Sequence, residues 1–180
     1  SEMCIRDSFI YPGCGYGGSC FPKDVSALVN TASRQGYETR ILKSVEQVNK
    51  AQKNKLQQMI LQCYGEDLSD KHFALWGASF KPNTDDIREA PSLVIIDTLL
   101  KSGAKITMYD PVANAPVCEY FDHPANLIAV DEAFEAIEGT DGLVICTEWK
   151  VFKAPDFNKI KQKMALSLIH ISEPTRRTTI

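Results

Sequence analysis

The sequence lacks the features that mark membrane-spanning and nucleic-acid-binding proteins. Its longest apolar runs, such as 93–96 and 127–130, fall far short of the roughly 18 residues that a transmembrane helix needs. Nor does it have a basic excess, since 20 Lys and Arg stand against 23 Asp and Glu and give a net charge of −3, whereas nucleic-acid-binding domains are typically basic. We therefore expect neither a membrane nor a nucleic acid as a partner.

The sequence also lacks the cysteine and histidine spacing of a metal site. It has six cysteines, with no C-x-x-C pair and no histidine at ligand spacing. No signal peptide is evident, so we expect reduced thiols, no metal and a cytoplasmic location. The cysteines are Cys4, Cys14, Cys20, Cys63, Cys118 and Cys146.

A length of 180 residues allows one domain, or one domain and a fragment. Apolar residues make up 44% and charged residues 24%, as in globular proteins. Residues 1–8 and 166–180 fit neither the periodicity nor the composition of the rest, and both resemble translated adapter sequence. We interpret them as non-native tails around a natural segment 9–165; the alternative is a pair of ordinary disordered tails.

The natural segment divides into a helical part, 9–66, and an α/β domain, 70–165. In the first part, a glycine-rich loop precedes a helix that begins near Pro22 and ends at Gly36, and apolar residues at helical spacing predict a long helix over 40–63. In the second part, short apolar runs alternate with helical segments, which predicts a Rossmann-like, doubly wound parallel sheet. The expected strands are 73–77, 105–109, 127–130 and 143–147.

The glycine-rich loop delivers a thiol to the start of a helix. Residues 13–24 read GCGYGGSCFPKD, and the helix N-terminus together with Lys23 should enlarge the thiolate fraction of Cys20 and make it a nucleophile. Asp24, one helical turn later, could orient a water or accept a proton. The alternative is structural: a small buried cysteine before a helix, with Lys23 and Asp24 as solvated first-turn charges.

A second motif, SFKPNTDDIREAP at 79–91, follows a predicted strand, where doubly wound sheets place their ligand-contacting loops. It is not a G-x-G-x-x-G motif, so this sheet need not bind a dinucleotide. Its charges could equally form a mixed-sign surface loop before a helix. Asp110, at the end of the second strand, is interpreted as a turn and cap residue beside Pro111; the alternative is a ribose-binding acid.

Both motifs resemble those of the UDP-glucose 6-dehydrogenases within the UDP-glucose/GDP-mannose dehydrogenase family. GCGYGGSCFPKD is similar to the catalytic-cysteine motif of that family, and SFKPNTDDIREAP to the signature of its C-terminal domain. Tyr-Asp-Pro at 109–111 and Thr-Glu-Trp at 147–149 follow in the same order and spacing. The resemblance covers about 9–165. One departure is Cys14, where the family often carries proline or an aliphatic residue.

The resemblance implies a four-electron oxidation of the C6 alcohol of UDP-glucose to a carboxylate, with two NAD molecules used in succession. Cys20 would form a thiohemiacetal and then a thioester, and Asp24 would orient the hydrolytic water. Lys23 and Arg88 would lie near the NAD. The residues implied to contact the nucleotide sugar are Tyr11, Gly13, Gly15, Tyr16, Gly17, Phe80 and Lys81.

Two further implications concern what surrounds this chain. The family has an N-terminal nicotinamide-binding domain that nothing here supplies, so the chain looks like the second half of an enzyme, inactive by itself. The long helix belongs to a central region through which the family forms dimers or higher oligomers. Two other functions remain open: a relative that oxidises GDP-mannose or another nucleotide sugar, and a non-catalytic nucleotide-binding module.

Overall fold

Two helices precede the α/β domain in the computed structural model, which describes residues 13–165 and 168–171. Helix α1 spans Phe21–Arg34, with Pro22 in its first turn, where a missing N–H costs nothing. Gly36 lies just past the end of α1 with φ of 74°, a conformation that favours glycine. Helix α2 spans Arg40–Tyr64. Both helices are therefore where the sequence pattern predicted them.

The two halves of α2 have different surroundings. In the first half, Ile41 and Val48 are 80% and 69% exposed. In the second half, Leu56 is buried and Tyr64 packs edge-on against Phe73 of the sheet, with ring centroids 5.2 Å apart. The second half of α2 thus belongs to the core of the α/β domain, whereas the first half projects from it.

The α/β domain is built on a parallel five-stranded sheet in the order β3-β2-β1-β4-β5. The chain starts in the centre, moves outward through β2 and β3, and returns to continue with β4 and β5 on the other side. This is the doubly wound topology that the alternating pattern predicted. The strands are β1 His72–Trp76, β2 Lys105–Tyr109, β3 Leu127–Ala129, β4 Gly142–Ile145 and β5 Leu168–Ile171.

Helices cover both faces of the sheet. Successive residues of a strand point to opposite sides, so each strand contributes side chains to two separate cores. Phe73 and Leu75 of β1 lie in one core cluster together with the second half of α2, whereas Ala74 and Trp76 lie in the other. The remaining helices are α3 Pro91–Lys101, α4 Asn114–Tyr120, α5 Ala133–Ala136, the 3₁₀ helix Lys150–Phe152 and α6 Phe157–Lys163. Among the described residues, no helix is long and apolar enough to cross a membrane.

The structure corrects the sequence prediction at the C-terminal end. Excluding 166–180 from the fold was wrong for 168–171, because these residues form β5 and pair in parallel with Gly142–Ile145. Helices α4 and α6, of seven residues each, were not predicted because they are too short for helical periodicity to show. The acidic start and apolar pattern of 131–137 predict a helix there, and the structure limits it to Ala133–Ala136.

The carboxylate of Asp110 joins three loops at the carboxyl edge of the sheet. Asp110 follows β2 and is only 2% exposed. Its Oδ1 accepts hydrogen bonds from the backbone N–H groups of Val112 and Ala113, at 3.0 and 2.9 Å. These bonds form the turn expected at this position, although the side chain does not cap α4.

The other oxygen of Asp110 reaches the loops that follow β1 and β4. Oδ2 accepts from the backbone N–H groups of Ala78 and Ser79, at 2.7 and 3.2 Å, and from the indole Nε1 of Trp149 at 3.1 Å. The Ser79 hydroxyl lies 3.3 Å from the same oxygen. Because both oxygens are engaged by the protein, Asp110 is a structural residue, and the alternative of a ribose-binding acid is wrong.

We expect Asp110→Asn to lower the free energy of unfolding by about 2–4 kcal/mol, because the amide turns an NH₂ group toward buried N–H donors. Urea denaturation at neutral pH, followed by tryptophan fluorescence, measures this change. The matched control is Asp97→Asn on α3, where the carboxylate is 48% exposed and pairs with Lys101; its effect should stay within about 0.5 kcal/mol. Equal effects of the two substitutions would contradict the structural role of Asp110.

Candidate active site

The glycine-rich loop is bound to the polar side of α2. Asn49 contacts both backbone groups of Tyr16: its Oδ1 accepts from the Tyr16 N–H at 2.8 Å, and its Nδ2 donates to the Tyr16 carbonyl at 3.1 Å. Gln52 Nε2 donates to the carbonyl of Gly13 at 2.8 Å. These three bonds attach the start of the loop to two successive turns of one helix.

The end of the loop packs against the second motif. The N–H of Gly18 donates to the carbonyl of Arg88 at 2.8 Å. A Cβ on Gly17 would lie 2.3 Å from the carbonyl oxygen of Glu89, and a Cβ on Gly18 would lie 2.8 Å from the ring of Phe80. Only glycine permits this approach, so the two motifs that the sequence separates by more than fifty residues form one unit.

Cys20 stands at the N-terminus of α1 with its side chain exposed. It is the residue that precedes the helix, and its carbonyl accepts the N–H of Asp24 at 2.8 Å. The thiol lies 3.5 Å from the hydroxyl of Ser19. A thiol at the positive end of a helix, open to solvent, is well placed to act as a nucleophile.

Arg88 brings a positive charge close to Cys20. Its guanidinium donates two hydrogen bonds to Asp86, from Nε to Oδ1 at 2.9 Å and from Nη2 to Oδ2 at 2.8 Å. These bonds hold the pKa of Asp86 below its usual range and raise the pKa of Arg88, to which attraction to the Cys20 thiolate adds a smaller share. The side chain of Arg88 is still 67% exposed, so a ligand can reach it.

A second ion pair closes the gap between α2 and the second motif. Lys53 Nζ donates to Glu89 Oε2 at 2.9 Å, and the Lys53 side chain is only 11% exposed. Its stem packs on the loop, because a Cβ on Gly15 would lie 2.8 Å from Lys53 Cγ. Lys53 therefore contacts both the glycine-rich loop and the second motif.

An open cleft of about 750 Å³ lies between the loop, the two helices and the second motif. Its walls carry four cationic and two anionic side chains, which suits an anionic ligand that also needs orienting contacts. The lining residues are Tyr16, Gly18, Ser19, Pro22, Lys23, Ser26, Glu46, Asn49, Lys50, Lys53, Asn54, Arg88, Glu89 and Val94.

The structure gathers most of the residues singled out from the sequence. Tyr16, Lys23 and Arg88 line the cleft, and Cys20 directly follows the lining residue Ser19. The other predicted residues that the structure describes do not line the cleft: Gly13, Gly15, Gly17, Asp24, Phe80 and Lys81. Lys81 is exposed, with its ammonium 5.2 Å from the centre of the Phe80 ring. Tyr11 lies outside the described residues.

Sequence reasoning missed the contribution of α2. Asn49, Gln52 and Lys53 hold the loop, yet α2 was analysed only for its apolar residues. The signal was present in the sequence: these residues recur at i, i+3 and i+4 and therefore share one side of a helix. Glu89 was also missed, because a charged residue in a mixed-sign segment gives no indication of its partner.

We expect Gly17→Ala to lower the free energy of unfolding by about 1–3 kcal/mol, since its methyl group would meet the backbone of Glu89 and push the loop from the second motif. Urea denaturation measures the loss, and faster proteolysis within 13–20 would report the displaced loop. Gly13→Ala is the matched control, because a Cβ there has no atom within 4 Å. The idea fails if both substitutions have the same effect.

Comparison with known proteins finds members of the family that the two motifs resemble, and these matches extend over nearly the whole chain. Residues 74–171 match the sequence model of the UDP binding domain of the UDP-glucose/GDP-mannose dehydrogenase family, and residues 1–51 match its central domain. UDP-glucose 6-dehydrogenase from Pseudomonas aeruginosa is 46% identical over 172 residues, which cover 94% of this chain and 38% of that protein. YwqF from Bacillus subtilis, also a UDP-glucose 6-dehydrogenase, is 42% identical over 83% of this chain and 33% of its own length.

Solved structures agree with the sequence relatives. A UDP-glucose dehydrogenase from Pyrobaculum islandicum superposes with a TM-score of 0.74 at 28% identity, over 86% of this chain and 37% of that one. A GDP-mannose dehydrogenase from Pseudomonas aeruginosa gives 0.67 at 27% identity, again over 86% of this chain and 37% of that one. The chain thus spans between 33% and 38% of the length of these relatives. With both motifs meeting at one cleft and the family's domains matched in order, the chain belongs to the UDP-glucose/GDP-mannose dehydrogenase family.

Proposed function

We propose that this chain carries the nucleophile and the sugar-nucleotide site of an NAD-dependent UDP-glucose 6-dehydrogenase, which oxidises UDP-glucose to UDP-glucuronate. The observation that carries the proposal is the position of Cys20. Its exposed thiol stands at a helix N-terminus, beside a cationic cleft that is formed jointly by the glycine-rich loop and the second motif. Relatives that carry the name UDP-glucose 6-dehydrogenase support the choice of substrate.

The sugar nucleotide is proposed to lie along the glycine-rich loop and the start of the second motif. Gly15 and Gly17 are assigned to these contacts by resemblance, and their missing Cβ atoms let the loop pack against Lys53 and Glu89. Tyr11, Gly13 and Tyr16 complete the loop contacts by resemblance. Phe80 offers an aromatic ring, and the ammonium of Lys81 beside it supplies a positive charge for a diphosphate.

The residues at the cleft also fit a dinucleotide. Lys23 and Arg88 are two cations on its walls, and Arg88 keeps an exposed guanidinium that can contact a phosphate. When bound, NAD would accept the hydride in each of the two oxidation steps. We assign Lys23 and Arg88 to its binding.

Cys20 is proposed to bind C6 of the sugar between the two oxidation steps, and Asp24 is proposed to act in the hydrolysis that follows the second. The Cys20 thiolate adds to the carbon of the C6 aldehyde, and after the second oxidation the sulfur holds the sugar as a thioester. Water then attacks the carbonyl carbon, the carbon–sulfur bond breaks, and Cys20 is released as thiolate. The carboxylate of Asp24, one helical turn away, orients that water and takes its proton.

A chimera tests this function. Replacing the matched segment of the Pseudomonas aeruginosa relative with this chain should give an enzyme that forms NADH from UDP-glucose and NAD. Cys20→Ser in the chimera should lower the rate of acid formation at least about 10³-fold, because the hydroxyl is a far poorer nucleophile. Cys63→Ser is the matched control, as Cys63 is an exposed thiol at the far end of α2, and should change the rate less than about twofold.

The outcomes separate the alternatives. A folded chimera in which Cys20→Ser retains the rate would contradict the assignment of the nucleophile. Faster NADH formation with GDP-mannose than with UDP-glucose would favour the second substrate. A chimera that binds UDP-glucose, measured by calorimetry, but oxidises neither sugar would favour a non-catalytic module.

We further propose that the exposed face of α1 and the first half of α2 contacts a second copy of this chain. Its large apolar side chains are 37–80% exposed, an unusual concentration for the surface of a soluble monomer. By resemblance, this region belongs to the central dimer interface of the family. The residues of the face are Phe21 and Leu28 of α1, Tyr37 between the two helices, and Ile41, Val45 and Val48 of α2.

This face predicts self-association at micromolar concentration, measured by size-exclusion chromatography with light scattering. Val48→Glu should shift the chain to monomer at the same concentration, since it places a charge in the contact. Val151→Glu is the matched control, because Val151 is 56% exposed but lies on the α/β domain, and it should leave the mass unchanged. A wild-type chain that elutes as a monomer would reject the interface.

A further inference from the structure

Two cysteines that the proposed chemistry does not use lie against each other at the base of the glycine-rich loop. Cys14 belongs to the loop and is only 3% exposed, and Cys146 directly follows β4. The Cys14 thiol donates to the carbonyl oxygen of Cys146 at 3.4 Å, and the side chains of the two residues also interact. The chain separates them by 132 positions, so only the fold brings them together.

The surroundings of the pair favour the protonated form of the Cys146 thiol. The hydrogen bond with Cys14 and burial together raise the pKa of the Cys146 thiol well above its ordinary value. Because the thiolate is the reactive form, the pair reacts slowly, and its burial admits only a small oxidant, at the place where Cys146 is partly exposed. Any bond formed there is shielded in turn from large reductants.

We propose that Cys14 and Cys146 form a reversible disulfide, with hydrogen peroxide as the oxidant. The Cys146 thiol first releases its proton to water, and the thiolate sulfur attacks one peroxide oxygen; the O–O bond breaks, the departing hydroxide takes up a proton and leaves as water, and Cys146 becomes a sulfenic acid. The Cys14 sulfur then attacks the Cys146 sulfur, the S–O bond breaks, and a second water leaves with the Cys14 proton. Two thiols lose two electrons in total, and one peroxide becomes two waters. A small dithiol reverses the reaction by exchange.

The disulfide would tie the glycine-rich loop to the carboxyl edge of the sheet. In the reduced chain the loop is held by hydrogen bonds to α2 and to the second motif, and none of these would need to break. Because the bond closes a loop of more than a hundred residues, it restricts the unfolded chain strongly. Oxidation should therefore raise Tm by roughly 5 °C. The proposal does not depend on the proposed function.

Peptide mapping of the full chain tests the proposal, in a Cys20→Ser background that removes the neighbouring exposed thiol. After treatment with peroxide and blocking of free thiols, trypsin with Glu-C should place Cys14 on peptide 7–23 and Cys146 on peptide 139–148, each as the single cysteine. We expect these two peptides to be linked, with a mass about 2 Da below their sum, and to separate on reduction. A thermal melt of the same sample should show the rise in Tm.

Controls make the result decisive. Cys14→Ser and Cys146→Ser should each lose the linked peptide and the Tm rise, while Cys63→Ser, which alters an exposed thiol on α2, should keep both. A Tm rise that persists in Cys14→Ser would overturn the proposal. Peroxide treatment that modifies Cys63 in the background chain and leaves peptides 7–23 and 139–148 unlinked would overturn it as well.

Discussion

The position of the candidate active site depends on the buried carboxylate of Asp110. By accepting hydrogen bonds from Ala78, Ser79 and Trp149, it fixes the loops that follow β1, β2 and β4 relative to one another. Phe80, which follows Ser79 in the sequence, packs against Gly18 of the glycine-rich loop. The buried carboxylate thus positions the start of the second motif, on which the end of the glycine-rich loop rests, and a buried charge with its acceptor sites used tolerates little displacement.

Helix α2 forms another wall of the cleft. Its polar side, its first half and its second half each contact a different part of the structure. The polar side holds the loop through hydrogen bonds from Asn49 and Gln52, while Lys53 packs on the loop and pairs with Glu89 of the second motif. The second half buries Leu56 in the α/β domain, while the first half leaves Ile41 and Val48 exposed. One rigid helix therefore connects the sheet, the site and the surface proposed for a second copy, which makes the geometry of the cleft sensitive to all three.

Local patterns in the sequence determined the elements that carry the site. Alternating short apolar runs predicted the parallel doubly wound sheet, and helical periodicity placed α1 and α2 to within a residue or two. The motif around Cys20 predicted a thiol at a helix start, which is where it stands. These features follow from backbone geometry and burial over a few consecutive residues, so they are readable before the fold is known.

Only the tertiary structure decided which distant side chains meet. The contacts of Asn49 with Tyr16, of Lys53 with Glu89 and of Cys14 with Cys146 join residues 33, 36 and 132 positions apart. The fifth strand was likewise excluded on composition and recovered through pairing with β4. The tertiary structure determines such partners, because the identity of a charged residue or a cysteine does not indicate which distant group it will contact. The sequence by itself determined strands β1 to β4, the two helices and a thiol at a helix start, whereas only the tertiary structure decided how the loop is held, because its partners Asn49 and Gln52 lie more than thirty positions away along the chain.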